Sequence, residues 1–292
     1  MQKNNNKLGW LFTSPYVVFT LVFFLLPLLW SLWLAFTDWN MISPTINFVG
    51  VSNFVKAIQA PEVQAAFLVT YKFLIAFVPM ALILSMAVAL LVNALPKFKG
   101  LFMVAFFLPY LSSGVVTSLI VKGLLAKNGP FDSFLQNNLH LNVDWFGNSV
   151  TAILIISFMI AWKMAGYYGL ILISGLQNIN QEVYESASLD GANRWTSFWK
   201  ITLPMLFPAL FTVVILAVGV SFGIFTEVYQ LTGGGPELAT NTWQMDIFNQ
   251  AFVNLNSGYA SAIAIIASLV TFASIGVIRK LLNIWGKKNG WN

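Results

Sequence analysis

The chain of 292 residues contains no cysteine and a single histidine, His140. The missing cysteine excludes disulfide bonds, thiol catalysis and cysteine-based metal sites, and one histidine excludes a metal centre built from several imidazoles. Charged residues are also scarce, at 9% of the chain, whereas a typical soluble domain carries about a quarter. So few charges cannot cover a soluble surface, and a hydrophobic content of 58% therefore predicts an all-α membrane protein with several spans.

Six apolar runs are long enough to cross a bilayer as helices. They lie at about residues 8–36, 73–95, 101–125, 150–176, 205–231 and 260–284. The first run is too long for the apolar core of a signal peptide and lacks a small-residue cleavage site, so we predict that it is a retained span. Together the runs predict six transmembrane helices in a single domain, residues 1–292.

The basic residues indicate how the spans are oriented. Ten of the fifteen fall on the side that carries both termini. They are Lys3, Lys7, Lys97, Lys99, Arg194, Lys200, Arg279, Lys280, Lys287 and Lys288. The positive-inside rule therefore predicts that both termini and the connection 180–204 are cytoplasmic. The net charge of +5 reports this topology and does not indicate binding to nucleic acid.

The connection 180–204 is polar and helical in composition, which is unusual in so apolar a chain. Asn180 is placed to cap a helix over 181–190 that Gly191 ends, and a second helix is predicted from about 193 to 203, before Pro204. On the second helix, Trp195, Phe198, Trp199 and Thr202 form a mostly apolar stripe that suits the membrane interface. Ala187 and Gly191 are small enough to let another backbone approach the first helix. The alternative is a solvated loop helix without a partner.

Few side chains inside the spans offer the aromatic faces and hydrogen-bonding groups that a polar solute could contact. The candidates for the substrate path are Trp162, Lys163, Tyr167, Glu227 and Tyr229. A charge at mid-membrane costs at least ~2.5 kcal/mol, so we expect Lys163 to face a cavity, water or a partner. Alternatively, Lys163 forms a structural ion pair, the aromatic residues pack between helices, and Glu227 is solvated at the interface.

The connection 180–204 also carries a spaced motif. It consists of Glu185, Ser186 and Ala187, then three residues ending at Asp190, then Gly191 and, after nine intervening residues, Ile201, Leu203 and Pro204. This pattern resembles the "EAA" loop of the membrane subunits of binding-protein-dependent ABC importers, with Ser186 replacing an alanine. Residues 10–40, 48–54, 176–179 and 231–236 also match. The resemblance is closest to carbohydrate permeases of the maltose, lactose and glycerol-phosphate type, the first permease of each pair.

The resemblance implies a type I ABC importer permease fold and a set of partners. The motif would be a coupling helix that docks in a separate ATPase subunit. The chain has no G-x-x-x-x-G-K-[ST] motif, so ATP and Mg would be bound by two partner ATPase subunits, and the chain itself would be no enzyme and hold no cofactor. A second homologous permease would complete a heterodimer.

The same resemblance implies that an extracellular or periplasmic solute-binding protein delivers the sugar. The loop formed by Gly233, Gly234, Gly235 and Pro236 would face that protein, although it is alternatively a tight turn leaving the membrane. The location would be the cell membrane of a bacterium or archaeon. The competing function is an ion-coupled sugar transporter or a channel. Such carriers usually bury several ionisable residues, whereas Lys163 is the one clear mid-span charge here.

Overall fold

The computed structural model describes residues 3–141 and 143–291, with side chains from Leu8 onward. Lys3 and Lys7, which entered the orientation prediction, therefore have no described side chains, and the outermost residues of the predicted domain 1–292 lie outside the described residues. Within the described ranges every regular element is a helix, and an isolated β-bridge joins Thr37 and Phe48 in the connection after the first span. The prediction of an all-α membrane protein is confirmed.

Fifteen α-helices follow one another along the part of the chain that the structure describes. They are α1 (Lys3–Thr20), α2 (Leu26–Leu34), α3 (Ser52–Gln59), α4 (Pro61–Ala94), α5 (Lys99–Leu111), α6 (Gly114–Leu124), α7 (Pro130–Leu139), α8 (Ser149–Gln177), α9 (Gln181–Leu189), α10 (Arg194–Ser197), α11 (Leu203–Met205), α12 (Phe207–Phe222), α13 (Thr226–Leu231), α14 (Trp243–Phe248) and α15 (Ser257–Lys288). Short π-helical turns lie at Leu21–Leu25, Phe198–Thr202 and Asn249–Val253.

Among the described residues, four helical segments are long and apolar enough to cross a membrane, at Leu8–Leu34, Pro61–Ala94, Ser149–Gln177 and Ser257–Lys288. Two bent helix pairs raise the number to as many as six. Six is the number that the sequence predicts, but the second span begins at Pro61 rather than at about residue 73. The extra residues are explained by Pro61, which suits the first turn of a helix because it needs no amide donor.

The predicted third run, 101–125, is interrupted in the middle. Ser112 and Ser113 have extended backbone, and α5 and α6 meet there at 92°. Pro109 lies inside α5, and Ser112 donates its hydroxyl to the Pro109 carbonyl, which offers the backbone an alternative to continuing the helix. The fifth run, 205–231, is also divided, because α12 ends at Phe222 and α13 begins at Thr226.

By compactness the described chain divides into two units. Unit 2 comprises Ala65–Met245 and Val270–Asn292, and α8 forms its centre. Half of the spanning window of α8 is buried, because α5, α12 and α13 all pack against it. A Cβ on Gly166 would collide with the Phe106 carbonyl of α5, so this glycine permits the close approach of two helices.

Unit 1 comprises the residues up to Gln64 together with Asp246–Leu269. Its first spanning segment, Leu8–Leu34, is only 6% buried. After it, the chain turns back on itself: the Val49 amide donates to the Phe36 carbonyl at 2.8 Å. The Asn53 side chain donates to the Thr37 carbonyl at 2.8 Å, which fixes the start of α3. The exposed apolar surface of the first segment is suited to lipid or to another membrane helix.

Candidate functional site

Helix α9 is the first half of the motif-bearing connection, and both of its ends are capped. The Asn180 side chain accepts a hydrogen bond from the Glu182 amide at 3.1 Å, as the sequence predicts for an N-cap. At the other end Gly191 has a φ of +82°. Its amide donates to the Ser188 carbonyl at 3.1 Å, and the next amide donates to the Ala187 carbonyl at 2.9 Å. These two bonds form a Schellman motif, for which glycine is the favoured residue.

The side chains of α9 point mainly into solvent. Glu185, Ser186 and Asp190 are exposed, and Ala187 is half-buried. Leu189 is 90% exposed, although it is the kind of residue that a soluble surface would bury. A Cβ at Gly191 would meet nothing within 4 Å. The tip of α9 is therefore an open, partly apolar knob with room for another protein.

The base of this knob is attached to the helices that follow it. The hydroxyls of Tyr184 and Thr202 are 2.9 Å apart and share a hydrogen bond, and Thr202 is only 6% exposed. The Asn193 side chain accepts from the Thr196 amide at 2.8 Å and so caps α10. The segment from Arg194 to Met205 then meets α12 at 68°. A displacement of α9 would therefore reach the fifth run through Thr202.

The predicted second helix exists as α10, a π-helical turn and α11. Trp195 is 71% and Trp199 is 48% exposed, and their rings meet edge to face at 5.6 Å. Ile201 and Leu203 are half-buried beside Pro204, which lies in α11. The predicted stripe is thus apolar and exposed at its aromatic end, as an interfacial segment requires, while its fourth member, Thr202, is buried.

The broken third run brings Glu227 next to the α5–α6 junction. An ideal Cβ on Gly114 would lie 2.8 Å from a Glu227 carboxylate oxygen, so α13 contacts the first turn of α6. Glu227 is half-buried and Tyr229, on the same short helix, is 46% exposed. Non-helical backbone at membrane depth is tolerated where it is covered by protein or lines a water-filled cavity. The junction therefore places a carboxylate beside the first turn of α6.

Tyrosines lie beside the same junction. The rings of Tyr110 and Tyr167 are stacked at 4.7 Å with an interplanar angle of 11°. Tyr168 packs against Tyr167 at 5.5 Å, is fully buried, and has a hydroxyl without a hydrogen-bond partner in the described structure. Tyr167 therefore stacks on Tyr110, which lies two residues before Ser112, where α5 ends.

Trp162 and Lys163 occupy different environments, although they are adjacent in sequence. Trp162 is 48% exposed and lines a groove of about 500 Å³ with apolar neighbours such as Phe158 and Leu154. Lys163 is 9% exposed. The part of α8 that carries both residues therefore presents an apolar face and a buried basic group, and their roles in a substrate path stay predictions.

The glycine-rich loop is folded rather than extended. Gly233 and Gly234 have φ of +62° and +92°, and the Gly235–Pro236 peptide is cis. The Thr240 hydroxyl is 2.7 Å from the Gly235 carbonyl, to which it donates, and 2.8 Å from the Thr232 hydroxyl. The chain beyond the loop is fixed as well, because the Trp243 indole donates to the Phe222 carbonyl at 2.7 Å.

The described residues bring together no group of three or more His, Asp or Glu side chains. Several residues that shape these sites were not predicted from the sequence: Leu189, Tyr184, Tyr110, Gly114 and Trp243. Leu189 lies inside the spacing of the motif, where its hydrophobicity is the only signal. The others act through contacts between distant segments, which no local pattern shows.

The geometry defines a class of protein: a membrane protein of several helical spans with an exposed, rigidly capped helix between its central span and the next one. The chain belongs to the family described as binding-protein-dependent transport system inner membrane component, whose model matches residues 64–283. It is therefore a membrane component of a transport system, as the spaced motif predicts.

Curated relatives match almost the whole chain. The multiple sugar-binding transport system permease protein MsmF of Streptococcus mutans is 30% identical and covers 95% of this chain and 94% of its own length. The lactose transport system permease protein LacF of Rhizobium radiobacter is 32% identical over 90% of this chain and 89% of its own. The trehalose/maltose permease MalF of Thermococcus litoralis is 30% identical, with coverage of 91% and 90%.

A solved structure shows the same fold. A bacterial alginate ABC transporter, crystallised in complex with an alginate pentasaccharide-bound periplasmic protein, contains a chain that superposes with a TM-score of 0.80. The match covers 98% of this chain and 96% of that chain at 20% identity. At this identity the likeness establishes the type I importer permease architecture and nothing about the substrate.

Proposed function

We propose that this chain is a permease subunit of an ATP-driven importer that moves a sugar of the oligosaccharide class. The relatives named for multiple sugars, lactose and trehalose/maltose support a carbohydrate substrate. In this proposal an external binding protein delivers the sugar, a second homologous permease completes the pathway, and two ATPase subunits bind ATP and Mg. The chain acts in the cell membrane of a bacterium or archaeon, with both termini and α9 in the cytoplasm.

One observation carries the proposal: α9 ends in an exposed knob while its base is fixed to the fifth run. Leu189 is 90% exposed, and Tyr184 shares a hydrogen bond with Thr202 at 2.9 Å. A partner that grips Leu189 and the small residues around Gly191 can therefore pull on the residues before α12. This is the geometry that coupling to a separate ATPase needs, because the chain must pass movement from a docked partner to its spans.

Transport in this proposal is alternating access. The ATPases bias the spans toward an outward-open state when they close on ATP, and the loaded binding protein favours the same state from the other side. Each partner shifts the equilibrium only by its differential affinity for the two states. The α5–α6 junction, with Glu227 beside Gly114 and Tyr167 stacked on Tyr110, supplies the aromatic and polar groups that a passing sugar requires.

Sugar uptake into vesicles tests the class of transporter. The complete complex is reconstituted with its binding protein, and uptake of a labelled oligosaccharide is measured with and without the ATPase subunits and ATP. We expect uptake only when both are present. Uptake driven by a proton or sodium gradient without the ATPases would establish the ion-coupled carrier instead.

A pair of substitutions at Gly191 tests the docking role of α9. Gly191→Ala adds only the strain of a side chain at positive φ, about 1–2 kcal/mol, because the new Cβ meets nothing within 4 Å. Gly191→Arg adds the same strain and also a bulky charge on the docking face. We expect the arginine variant to lose ATPase binding in co-purification and the alanine variant to keep it. Equal loss in both variants would assign the effect to the backbone.

A further inference from the structure

An apolar groove lies on unit 2 where three chain segments meet. Its walls include Ile83 and Leu90 of α4, Phe207 and Leu210 of α12, and Trp285 of α15, and its volume is about 540 Å³. Volumes of about 300–1,000 Å³ are typical of small-molecule sites. The α4 wall spans residues 82–90, which is about 12 Å along a helix axis. The groove is therefore about 12 Å long along α4 and lined by apolar side chains, which suits a hydrocarbon chain.

The end of the chain closes one end of this groove. Gly290 has a φ of +68°, its amide donates to the Lys287 carbonyl, and the Trp291 amide donates to the Gly286 carbonyl at 2.8 Å. This second Schellman motif ends α15 and turns Trp291 back, so that its ring lies 4.6 Å from the Trp285 ring. The closed end of the groove is thus built from indole rings, which favour the interface between lipid tails and headgroups.

The chain segments that form the groove walls carry charges of one sign. The segments 82–99, 191–214 and 279–292 contain no Asp or Glu, and the acidic residues that come just before the second of them, Glu185 and Asp190, are exposed on and after α9 and do not line the groove. The three segments contain eight basic residues: Lys97, Lys99, Arg194, Lys200, Arg279, Lys280, Lys287 and Lys288. Lys200 follows the wall residue Trp199, and Lys287 and Lys288 occupy the last turn of α15; all three are exposed. An apolar channel that ends among cations is complementary to an acyl chain with a negative headgroup.

We propose that this groove binds a phospholipid with an anionic headgroup, with one acyl chain between α4, α12 and α15 and the phosphate near Lys200, Lys287 and Lys288. Interfacial tryptophans Trp199 and Trp285, each about half exposed, flank the glycerol region. The bound lipid fills the groove beside the segment that links α9 to α12. The site is separate from the substrate path and from the docking surface of α9.

Native mass spectrometry of the complete transporter tests this site. The complex is purified from nanodiscs of phosphatidylglycerol and phosphatidylcholine in equal amounts, and the retained lipids are counted. We expect phosphatidylglycerol to be retained preferentially. The double variant Lys287→Gln/Lys288→Gln is expected to lower that preference about 20-fold, because each basic residue near an anionic headgroup contributes about fivefold in affinity. The charge-matched control Lys72→Gln/Lys127→Gln, at two exposed lysines outside the groove, is expected to leave it unchanged.

A second variant tests the apolar part of the groove without changing any charge. Ala87 is an exposed wall residue, and Ala87→Phe is expected to displace the acyl chain and abolish lipid retention. Leu91→Phe is the control, because Leu91 lies on the same helix, is 62% exposed and does not line the groove. Equal retention of lipid in Ala87→Phe and Leu91→Phe, or no preference for phosphatidylglycerol, overturns the proposal.

The absence of cysteine from this chain permits a direct identification of the occupant. A photoreactive label is attached to Ala87→Cys in the purified chain before the transporter is assembled, and it is expected to cross-link phosphatidylglycerol. Cross-linking to a polypeptide, such as a helix of the partner permease, would show that the groove is a protein interface and would overturn the lipid assignment. Neither outcome depends on the identity of the sugar or on ATP hydrolysis.

Discussion

The connections before and after α12 differ in how far their large apolar side chains are exposed to solvent. In the connection before it, Leu189 is 90% and Trp195 is 71% exposed. In the connection after it, Trp243 is 1% exposed and its indole is hydrogen-bonded to Phe222. The first connection therefore leaves hydrophobic area for a partner to cover, whereas the second has already covered its own. The difference makes the first connection the surface that the proposed ATPase subunit would cover.

Replacement of Trp243 is expected to have the largest effect. Its ring packs against Phe67 at 4.8 Å and Phe222 at 5.0 Å, and its amide donates to the Thr70 hydroxyl at 3.1 Å. Trp243→Ala should lower the free energy of unfolding by about 3–5 kcal/mol, as other buried Trp→Ala changes do. Thermal unfolding of the purified chain in detergent measures this loss. Trp243→Phe keeps an aromatic ring but loses the indole hydrogen bond, so its loss of stability should lie between that of wild type and that of Trp243→Ala. A wild-type melting temperature for Trp243→Ala would mean that this residue does not hold the second connection in place.

Leu189→Asp is the corresponding test of the exposed connection. Because the side chain is 90% exposed, the melting temperature of the isolated chain should stay close to wild type, as for most surface changes. ATP-dependent uptake by the complete transporter should fall at least tenfold, since a charge would be buried against the ATPase. Leu189→Met keeps the apolar contact and is expected to retain uptake. Normal uptake with aspartate would show that no partner covers this position.

The sequence alone could predict the features that depend on neighbouring residues, but not those that depend on contacts between distant segments. The number of apolar runs, the N-cap at Asn180 and the terminating role of Gly191 were predicted, because hydrophobicity and cap residues act over a few neighbouring positions. The break after Leu111 was not predicted. It depends on Ser112 turning to the Pro109 carbonyl and on Glu227 packing beside Gly114, and the second of these contacts joins residues more than a hundred positions apart.

The sites follow the same pattern. The motif residues Glu185, Ala187 and Gly191 could be located because their spacing is local, but the bond that links them to the spans, from Tyr184 to Thr202, crosses a turn and has no sequence signature. For the substrate path, the sequence could indicate which residue types suit a sugar, but not which way their side chains point. Trp162 and Lys163 are neighbours in the chain, yet one lines an apolar groove and the other is 9% exposed.

A smaller effect is expected from the hydrogen bond between Tyr184 and Thr202, which connects the exposed knob to the fifth run. Tyr184→Phe removes one partner and should cost about 1 kcal/mol, the usual net value of such a bond. If this bond transmits movement, sugar uptake per ATP hydrolysed should fall several-fold while ATPase binding persists. The double variant Tyr184→Phe/Thr202→Val should then be no worse than either single variant. Fully additive losses would mean that the two hydroxyls act independently.

The smallest effect concerns carboxylates, which show the same contrast between exposed and buried groups. The acidic residues of α9 are exposed, whereas Asp246, which follows the second connection, is 5% exposed with a carboxylate oxygen that lacks a partner in the described structure. Burial, together with the nearby charge of Glu62, raises the pKa of Asp246 from 3.8 to about 6. A raised pKa means that the folded state binds the proton more tightly than the unfolded state, so this group makes the fold less stable as pH rises from about 4 to 6.

Asp246→Asn removes the buried charge that destabilises the fold at neutral pH. It should therefore raise the free energy of unfolding at pH 7.5 by about 1 kcal/mol after solvent screening. The gain should shrink as the pH is lowered to 5, where the wild-type carboxyl is largely protonated. Asp38→Asn is the control with the opposite sign, since hydrogen bonds from Asn47 lower the pKa of Asp38 and favour its charged form. Melting temperatures of the two variants across this pH range separate the cases. A stabilisation by Asp246→Asn that is the same at pH 5 and pH 7.5 would show that the cost of this residue comes from its shape and not from its charge.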